Sequence, residues 1–501
     1  MSPLDDLLPS GSNASTVKGD QSRSGTTKDT CPDGARSSIH PYEERKFIEY
    51  DVVALADYFL KVRGNSESLA APLSPEDWML QSMEDASPVK WNLAHTTWFF
   101  ETFILSRYSD TYKLFNPNFG FLFNSYYNQI GEMHTRQKRG VLSRPSAEEV
   151  LAYRRAVTQA TRALLVGADE NLLNIIAPLV ILGCAHEEQH QELLLTDIKH
   201  ALYENPFPSA AYPSEGGARS STMCSSTSPS STSGRSTDAS ADNPSCQDDL
   251  LFIEFDGGLT EIGWSDEGFA FDNEGPVHKV FLKPFGLGHR LVTNSEYLEF
   301  MDRGGYRDPR WWLADGWARV AAEEWSAPLY WQYRDGEWLQ YTLSGLSPLD
   351  PDAPVCHLSY YEAAAYAEWT GFRLATEVEW EQAAKTAIAS NPLSEISGVF
   401  LSEAKPRPPK PVTGTVSPNG PVRQMLGDVW EWTSSPYIAY PGYRAAPGAI
   451  GEYNGKFMSS QMVLRGGSCA TPVDHVRPTY RNFFPPHVRW QFSGLRLACD
   501  L

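Results

Sequence analysis

The sequence predicts a multidomain chain of mixed class, a four-helix bundle followed by an α+β domain. Three observations predict it. The first half carries apolar residues at helical spacing. A Ser-rich stretch at 206–248 then interrupts that pattern. After Asp249, short β-like runs alternate with turns and with Trp-, Gly- and Pro-rich segments. The 501 residues leave room for a core in each part.

Residues 1–40 are rich in Ser, Thr, Gly and Asp with almost no large apolar side chains, and are expected to form a disordered tail. The bundle is expected over 41–205. Glu43 to Arg63 has helical periodicity, with Phe47, Val52, Leu55, Ala56, Tyr58 and Phe59 at the apolar positions. Ser87 to Glu101 reads as a turn feeding a second helix. Ser146-Ala-Glu-Glu149 is a capping box opening a third. The fourth is apolar almost all round from Leu172 to Leu182, the mark of a buried helix. Pro178 is expected to kink it or to start its second part. Residues 206–248 are expected to be a flexible linker, and 249–501 the α+β domain, with strands such as Leu251 to Phe255 and His278 to Leu282.

The net charge is −20 and the sequence pI is near 5.0, which argues against nucleic acid and anionic membrane as partners. No apolar run is long enough to span a bilayer. The N-terminus lacks the basic-then-apolar order of a signal peptide. Seven cysteines without C-x-x-C pairs fit a reducing compartment, so a cytoplasmic protein is expected.

The chemistry concentrates in Cys184-Ala-His-Glu-Glu-Gln-His-Gln-Glu192. His186 and His190 are four apart, which puts both imidazoles on one helix face. Such a pair suits a borderline metal such as zinc or iron, and two histidines in an apolar interior are costly without a partner. A catalytic site needs a third ligand. His95, in the apolar Trp91-Asn-Leu-Ala-His-Thr-Thr-Trp98, is the best candidate, ahead of His134 in a polar loop. Glu192 lies about 200° round the helix from His190, so it is expected to be structural and not a ligand. The string His186-Glu187-Glu188-Gln189-His190 also fits the H-E-x-x-H pattern of zinc proteases, with Glu187 as general base.

Several strings carry a resemblance. Trp91-x-Leu-Ala-His95-Thr-Thr-Trp-Phe-Phe-Glu101, Phe123-Asn-Ser-Tyr-Tyr127, Arg139-Gly-Val-Leu-Ser-Arg-Pro145 and His186 to Glu192 resemble the DinB-like domain of ergothioneine sulfoxide synthases. Pro354-Val-Cys-His-Leu-Ser359, Gly371 to Trp380, Gly427-Asp-Val-Trp-Glu-Trp432, Leu464-Arg-Gly-Gly-Ser468 and Gly494-Leu-Arg-Leu497 resemble the formylglycine-generating-enzyme domain, which has a C-type-lectin-like fold. The resemblance covers about 41–205 and 249–501. Asn92 stands where a His is common in that family. Cys469 lacks the second cysteine of the copper-binding pair found in true formylglycine-generating enzymes, so that activity is not expected.

The resemblance implies a non-haem Fe(II) site held by His95, His186 and His190, with open positions for hercynine, a thiol and O₂. The implied reaction joins sulfur to the imidazole C2 of hercynine and oxidises it to a sulfoxide. Tyr126 and Tyr127 are the implied proton donors, either of the two. Asn482, Phe483 and Phe484 would line the hercynine pocket, and Gln189 would reach a ligand held at the metal. Aromatic faces suit the trimethylammonium, which cannot donate hydrogen bonds. Arg136 and Arg139 would clamp the carboxylate of cysteine or γ-glutamylcysteine. Alternatives are a selenoneine- or ovothiol-type synthase, a zinc hydrolase using Glu187, and a binding protein whose metal is structural.

Overall fold

The computed structural model describes residues 50–207, 209–212, 250–265, 268–413 and 420–501. The expected tail at 1–40 and nearly all of the expected linker lie outside these residues. Residues 49–501 form one compact unit.

Four helices build the first half: α1 (Val52–Ala70), α2 (Val89–Phe100), α3 (Ala147–Gly167) and α4 (Glu170–Tyr203). Helix α1 begins at Val52, because the Asp51 carboxylate accepts from the amides of Val53 and Ala54 and so caps it there. It runs seven residues past the expected end at Arg63. Gly64 does not stop it, since Leu69 and Ala70 in the added turns are buried in the core. Helix α2 continues past its expected end at Glu101 through a π turn, Glu101–Leu105, to Tyr108. The Glu101 carboxylate anchors that turn, accepting from Tyr153 Oη at 2.6 Å, Tyr112 Oη at 2.7 Å and the Phe115 amide at 2.9 Å. The capping box opening α3 forms as expected, Ser146 and Glu149 each accepting the other's amide.

Pro178 does not divide α4, which runs as one helix of 34 residues. Proline forfeits one backbone hydrogen bond, but Leu173, Ile176, Ala177 and Val180 around it are all buried, and their packing holds the helix together. Helices α2 and α4 approach closely at Gly183, where an added Cβ would lie 2.7 Å from the Phe100 ring.

The second half is built on strands. A four-stranded sheet orders β1 (Phe252–Phe255), β4 (Phe285–Gly288), β13 (Leu497–Asp500) and β8 (Arg373–Leu374), all antiparallel. Strands β2 (Gly258–Ile262) and β3 (His278–Leu282) form a hairpin, and β5 (Trp331–Arg334), β6 (Glu337–Thr342) and β7 (Gly345–Pro348) form a meander. A second four-stranded sheet orders β11 (Asn482–Phe484), β10 (Met462–Arg465), β9 (Trp430–Pro436) and β12 (Ser493–Gly494). Helices α5 (Tyr360–Thr370) and α6 (Glu377–Ser390) each open on a capping box. Two shorter helices, Asn294–Asp302 and Ala314–Ala322, and long ordered loops fill the rest. The first residues of the expected linker are not free: Ala211 and Tyr212 donate backbone hydrogen bonds to Leu343, and Tyr212 Oη donates to the Leu69 carbonyl.

Polar residues on α4 fasten both halves. Glu187 accepts from Arg63 at 2.7 Å, from Ser66 at 2.6 Å and from Arg154, which ties α4 to α1 and α3. On another face, Glu192 accepts from Ser468 Oγ at 2.6 Å, Trp430 Nε1 at 2.7 Å and Thr471 Oγ1 at 2.9 Å, all in the second half. Among the described residues no helix is long and apolar enough to cross a membrane.

Burial opposes ionisation of Glu187, but the guanidinium groups of Arg154 and Arg63 outweigh it and hold its pKa down, at about 2 against an ordinary 4.5. A depressed carboxylate contributes stability that is present above the unfolded-state value, near 4.5, and lost as pH falls through about 2. Glu187→Gln is expected to lose about 3 kcal/mol at neutral pH, because Arg63 stays buried without its anion and Arg154 keeps only Glu67. It is also expected to flatten the acid limb of stability between pH 4.5 and 2. Urea unfolding followed across pH checks both, and an unchanged acid limb would contradict the assignment.

Candidate active site

His95 comes from α2, and His186 and His190 from α4. Their ring centroids lie 5.0 Å (His95 to His186), 4.8 Å (His95 to His190) and 4.7 Å (His186 to His190) apart. One ligand atom from each falls within 4.8 Å of the others. Among the described residues this is the one group of three or more metal-ligating side chains so placed. His134 is elsewhere, with Nε2 3.0 Å from the Lys138 carbonyl.

The tautomers follow from the hydrogen bonds. His95 Nδ1 lies 2.6 Å from the Phe123 carbonyl, which can only accept, so Nδ1 carries the proton and Nε2 presents a lone pair. His190 Nδ1 lies 2.8 Å from Asn92 Oδ1. The Asn92 amide nitrogen donates to the Ser87 carbonyl at 3.3 Å, which fixes its oxygen toward His190. His190 Nδ1 is therefore the donor. Both nitrogens of His186, and Nε2 of His95, are buried without a hydrogen-bond partner. Burial pushes all three imidazoles below their ordinary pKa, His186 to about 3. Neutral imidazoles with free lone pairs, two of them oriented from behind, are the state a metal ligand requires. The set fits a borderline cation such as iron or zinc.

Helix geometry explains how one segment of α4 serves so many neighbours. At about 100° per residue, Glu187 sits about 100° from His186, Glu188 about 200° and Gln189 about 300°. Glu187 spends both carboxylate oxygens on Arg63, Ser66 and Arg154, which turns it from the imidazoles and disfavours the general-base role of the H-E-x-x-H reading. Glu188 accepts from Tyr58 Oη at 3.1 Å and lies 3.1 Å from His475 Nδ1. Gln189 points between the imidazoles and the second half. Its amide nitrogen donates to Tyr480 Oη at 2.6 Å, and its oxygen accepts from Tyr453 Oη.

Tyr453 is the site residue that the sequence did not signal. It lies in an irregular, glycine-rich stretch with no periodicity. The fold sets its ring 5.5 Å from His186 and 6.2 Å from Tyr126, and stacks it on Phe271 at 5.6 Å. Burial pushes its phenol well above the ordinary pKa, and does the same for Tyr126 and Tyr127. Tyr126 faces Tyr453 and Phe457, whereas Tyr127 packs on Trp98 and Phe103 with its hydroxyl buried and unpartnered.

The two arginines diverge. Arg136 is half exposed, with Asp85 3.7 Å away. Arg139 is buried, stacked 3.3 Å over Trp91, and donates to Ser87 Oγ at 2.9 Å and Ser125 Oγ at 3.2 Å. Trp91 in turn stacks on His95 at 4.5 Å, and Arg139 Nε remains a buried donor without a partner. Strand β11 alternates its side chains, so Phe483 faces opposite to Asn482 and Phe484. Phe483 stacks on Tyr437 at 4.0 Å and meets Phe457 at 5.9 Å, which links it by rings to Tyr126. Asn482 Oδ1 accepts from the Phe483 amide.

Residues 237–501 match the sulfatase-modifying factor enzyme 1-like domain, and residues 58–194 match the DinB superfamily. The chain is 38% identical over 256 residues to a hercynine oxygenase of Mycolicibacterium thermoresistibile, covering 48% of this chain and 56% of that one. It is 37% identical over 249 residues to a hercynine oxygenase of Mycobacterium tuberculosis, covering 47% and 57%. It is 29% identical over 286 residues to a formylglycine-generating enzyme of Thermomonospora curvata, covering 50% and 93%. The chain thus spans about half the length of the hercynine oxygenases it matches. Both matched domains, in this order, fit the ergothioneine sulfoxide synthase type. With a DinB superfamily region ahead of a matched domain that fills more than half its length, this chain belongs to the sulfatase-modifying factor enzyme 1-like family.

Proposed function

We propose that the chain is a cytoplasmic, non-haem Fe(II), O₂-dependent sulfoxide synthase acting on hercynine and a cysteine-type thiol. The thiol S–H and the hercynine C2–H are lost, a C–S and an S=O bond form, and the four electrons released reduce O₂ to the sulfoxide oxygen and one water. The observation that carries the reading is the buried three-imidazole cluster with its free lone pairs. The relatives named hercynine oxygenase support the substrate. His95, His186 and His190 would hold the ion. Bound there, Fe(II) would supply the O₂ chemistry that no side chain provides.

The chain's own residues supply position and protons. Asn92 and the Phe123 carbonyl hold two imidazoles in the ligating tautomer. Gln189, next to both His186 and His190, anchors Tyr453 and can turn its amide to a bound imidazole or carboxylate. Tyr453 stays protonated at neutral pH, so its hydroxyl can deliver a proton beside the cluster, with Tyr126 adjacent. Rings of Tyr126, Phe457 and Phe483 give a wall suited to a trimethylammonium. Arg139 Nε is a buried donor suited to the thiol's carboxylate, with Arg136 outside it. The turn of Glu187 away from the cluster disfavours a zinc hydrolase. A structural zinc would want a fourth protein ligand, and the described residues offer three. Selenoneine- and ovothiol-type chemistry would use the same scaffold and differ in the product.

Oxygen uptake by Fe(II)-loaded protein with hercynine plus cysteine, and separately plus γ-glutamylcysteine, tests the reading, with products identified by mass spectrometry. A C2-linked sulfoxide that needs every component is expected. No uptake with either thiol, in protein shown to hold iron, would remove it. Tyr453→Phe is expected to lower kcat about a hundredfold with little change in KM, as removal of a positioned acid does. Asn92→Ala is expected to weaken metal binding about tenfold or more, read by competition with a chelator.

A further inference from the structure

One array of hydrogen bonds leaves α4 at Glu188 and returns to it at Gln189, passing through two side chains of the second half. His475 ends the short turn Val473–His475 and is buried. Its Nδ1 lies 3.1 Å from Glu188 Oε2, and its Nε2 lies 3.0 Å from Tyr480 Oη. Tyr480 Oη lies 2.6 Å from the Gln189 amide nitrogen, and the Gln189 oxygen meets the Tyr453 hydroxyl.

The direction of every bond follows from the first member. A carboxylate only accepts, so His475 Nδ1 carries a proton. A neutral imidazole has one such proton, so Nε2 is then bare and Tyr480 donates to it. The Tyr480 oxygen is left to accept from the Gln189 nitrogen. That turns the Gln189 oxygen to Tyr453, whose hydroxyl donates to it. Burial holds the phenols of Tyr480 and Tyr453 above their ordinary pKa, so both keep their protons. The Tyr453 proton is thus spent on an amide, although its ring is 5.5 Å from that of His186.

A second proton on His475 reverses the array. Nε2 then donates to Tyr480, Tyr480 donates to Gln189, and the amide presents its nitrogen to Tyr453. The Tyr453 oxygen accepts there, and its own proton is free. The surroundings of His475 suit both states. Glu188, from α4, forms an ion pair with the imidazolium, and Tyr58, from α1, gives Glu188 a second donor at 3.1 Å. Arg477 donates to the His475 carbonyl at 3.0 Å, but its charge is met by Glu274. Glu192 is near enough to feel the charge of His475, and Asp474 is paired with Lys61 at the surface. The Phe271 ring packs against the imidazole at 5.9 Å.

We propose that His475 is a positioning residue for the Tyr453 proton. With Nε2 bare it holds that proton on Gln189, and with Nε2 protonated it frees the proton for a ligand at the imidazoles. The inference rests on the role proposed above for Tyr453. No covalent bond to carbon or sulfur changes: one proton is gained at His475, two hydroxyls rotate and one amide turns.

Nitrogen-15 NMR of the full chain, labelled at its histidines and loaded with diamagnetic Zn(II), reads the tautomer directly. Above about pH 8, where an ordinary imidazole is neutral, the His475 signals are expected to show Nδ1 protonated and Nε2 bare. Their loss in His475→Gln assigns them. Glu188→Gln, which removes the carboxylate, is expected to shift the same signals toward the other tautomer, and assigns them where His475→Gln fails to fold. The second readout is the pH profile of sulfoxide formation by Fe(II)-loaded protein. His475→Gln keeps a partner for Tyr480 but cannot gain a proton. The ratio of wild-type kcat to the variant's is expected to rise about tenfold as pH falls from about 9 to about 6, with KM for hercynine alike in both. A neutral His475 with its proton on Nε2, or a flat ratio while sulfoxide forms, overturns this proposal alone. No sulfoxide from the wild-type protein removes the function proposed above, and this role with it.

Discussion

The structure depends on one helix meeting three neighbours at once. Between His186 and Lys199, α4 carries a ligand face, a face clamped by Arg63 and Arg154, and a face of Glu188, Glu192 and Lys199 turned to the second half. These sets are separated by the 100° step of the α-helix, so their order along the chain fixes their order round it. A shift of one residue would put either Glu187 in the place of His186 or, in the other sense, His186 in the place of Glu187 among the arginines. Every buried polar group on this helix constrains the rotation of the others.

That coupling makes the second half part of the candidate site. The imidazoles come entirely from the bundle, but Tyr453, which lies over them, comes from a loop more than 250 residues later. Its position is held indirectly. Gln189 accepts from Tyr453 and donates to Tyr480, and His475 Nε2 lies 3.0 Å from the same Tyr480 hydroxyl. The three acceptances at Glu192, on the adjoining stripe of α4, set the depth at which β9 and the Gly467-Ser468 turn meet the helix. The loop from Asn124 to Val141 closes the remaining side, where Glu452 accepts from the amides of Asn128 and Gln129. In a low-dielectric interface such bonds are strong when satisfied and costly when not, so the two halves have little freedom to slide.

What was legible in the sequence was local. The spacing of His186 and His190, the capping box at Ser146 and the off-face angle of Glu192 all depend on helix geometry within one turn or two, which residue order carries directly. Helix ends were less legible, because α1 and the turn after α2 are extended by tertiary contacts, Leu69 in the core and Glu101 under three donors. Pro178 starts no separate helix for the same reason, since its local cost is outweighed by packing on both sides. Tyr453 had no local signal at all. Nothing in its own stretch distinguishes it from the other tyrosines, and only the closing of the second half over α4 brings it to His186.

A short motif says less than the neighbours that each of its residues meets. As a string, His186-Glu187-Glu188-Gln189-His190 serves a zinc protease as well as an iron enzyme. The string leaves open what the middle residues face. In this fold Glu187 has two guanidinium partners and a serine, so its charge is spent on holding α1, α3 and α4 together. Withdrawing it to activate a water would leave Arg63 buried without an anion and Arg154 with only Glu67, a cost of several kcal/mol before any chemistry. Gln189 is different. It is uncharged, it lies between the imidazoles and the second half, and both its partners are neutral phenols. The side chain placed to meet a ligand at the imidazoles is therefore the amide of Gln189 and not the carboxylate of Glu187.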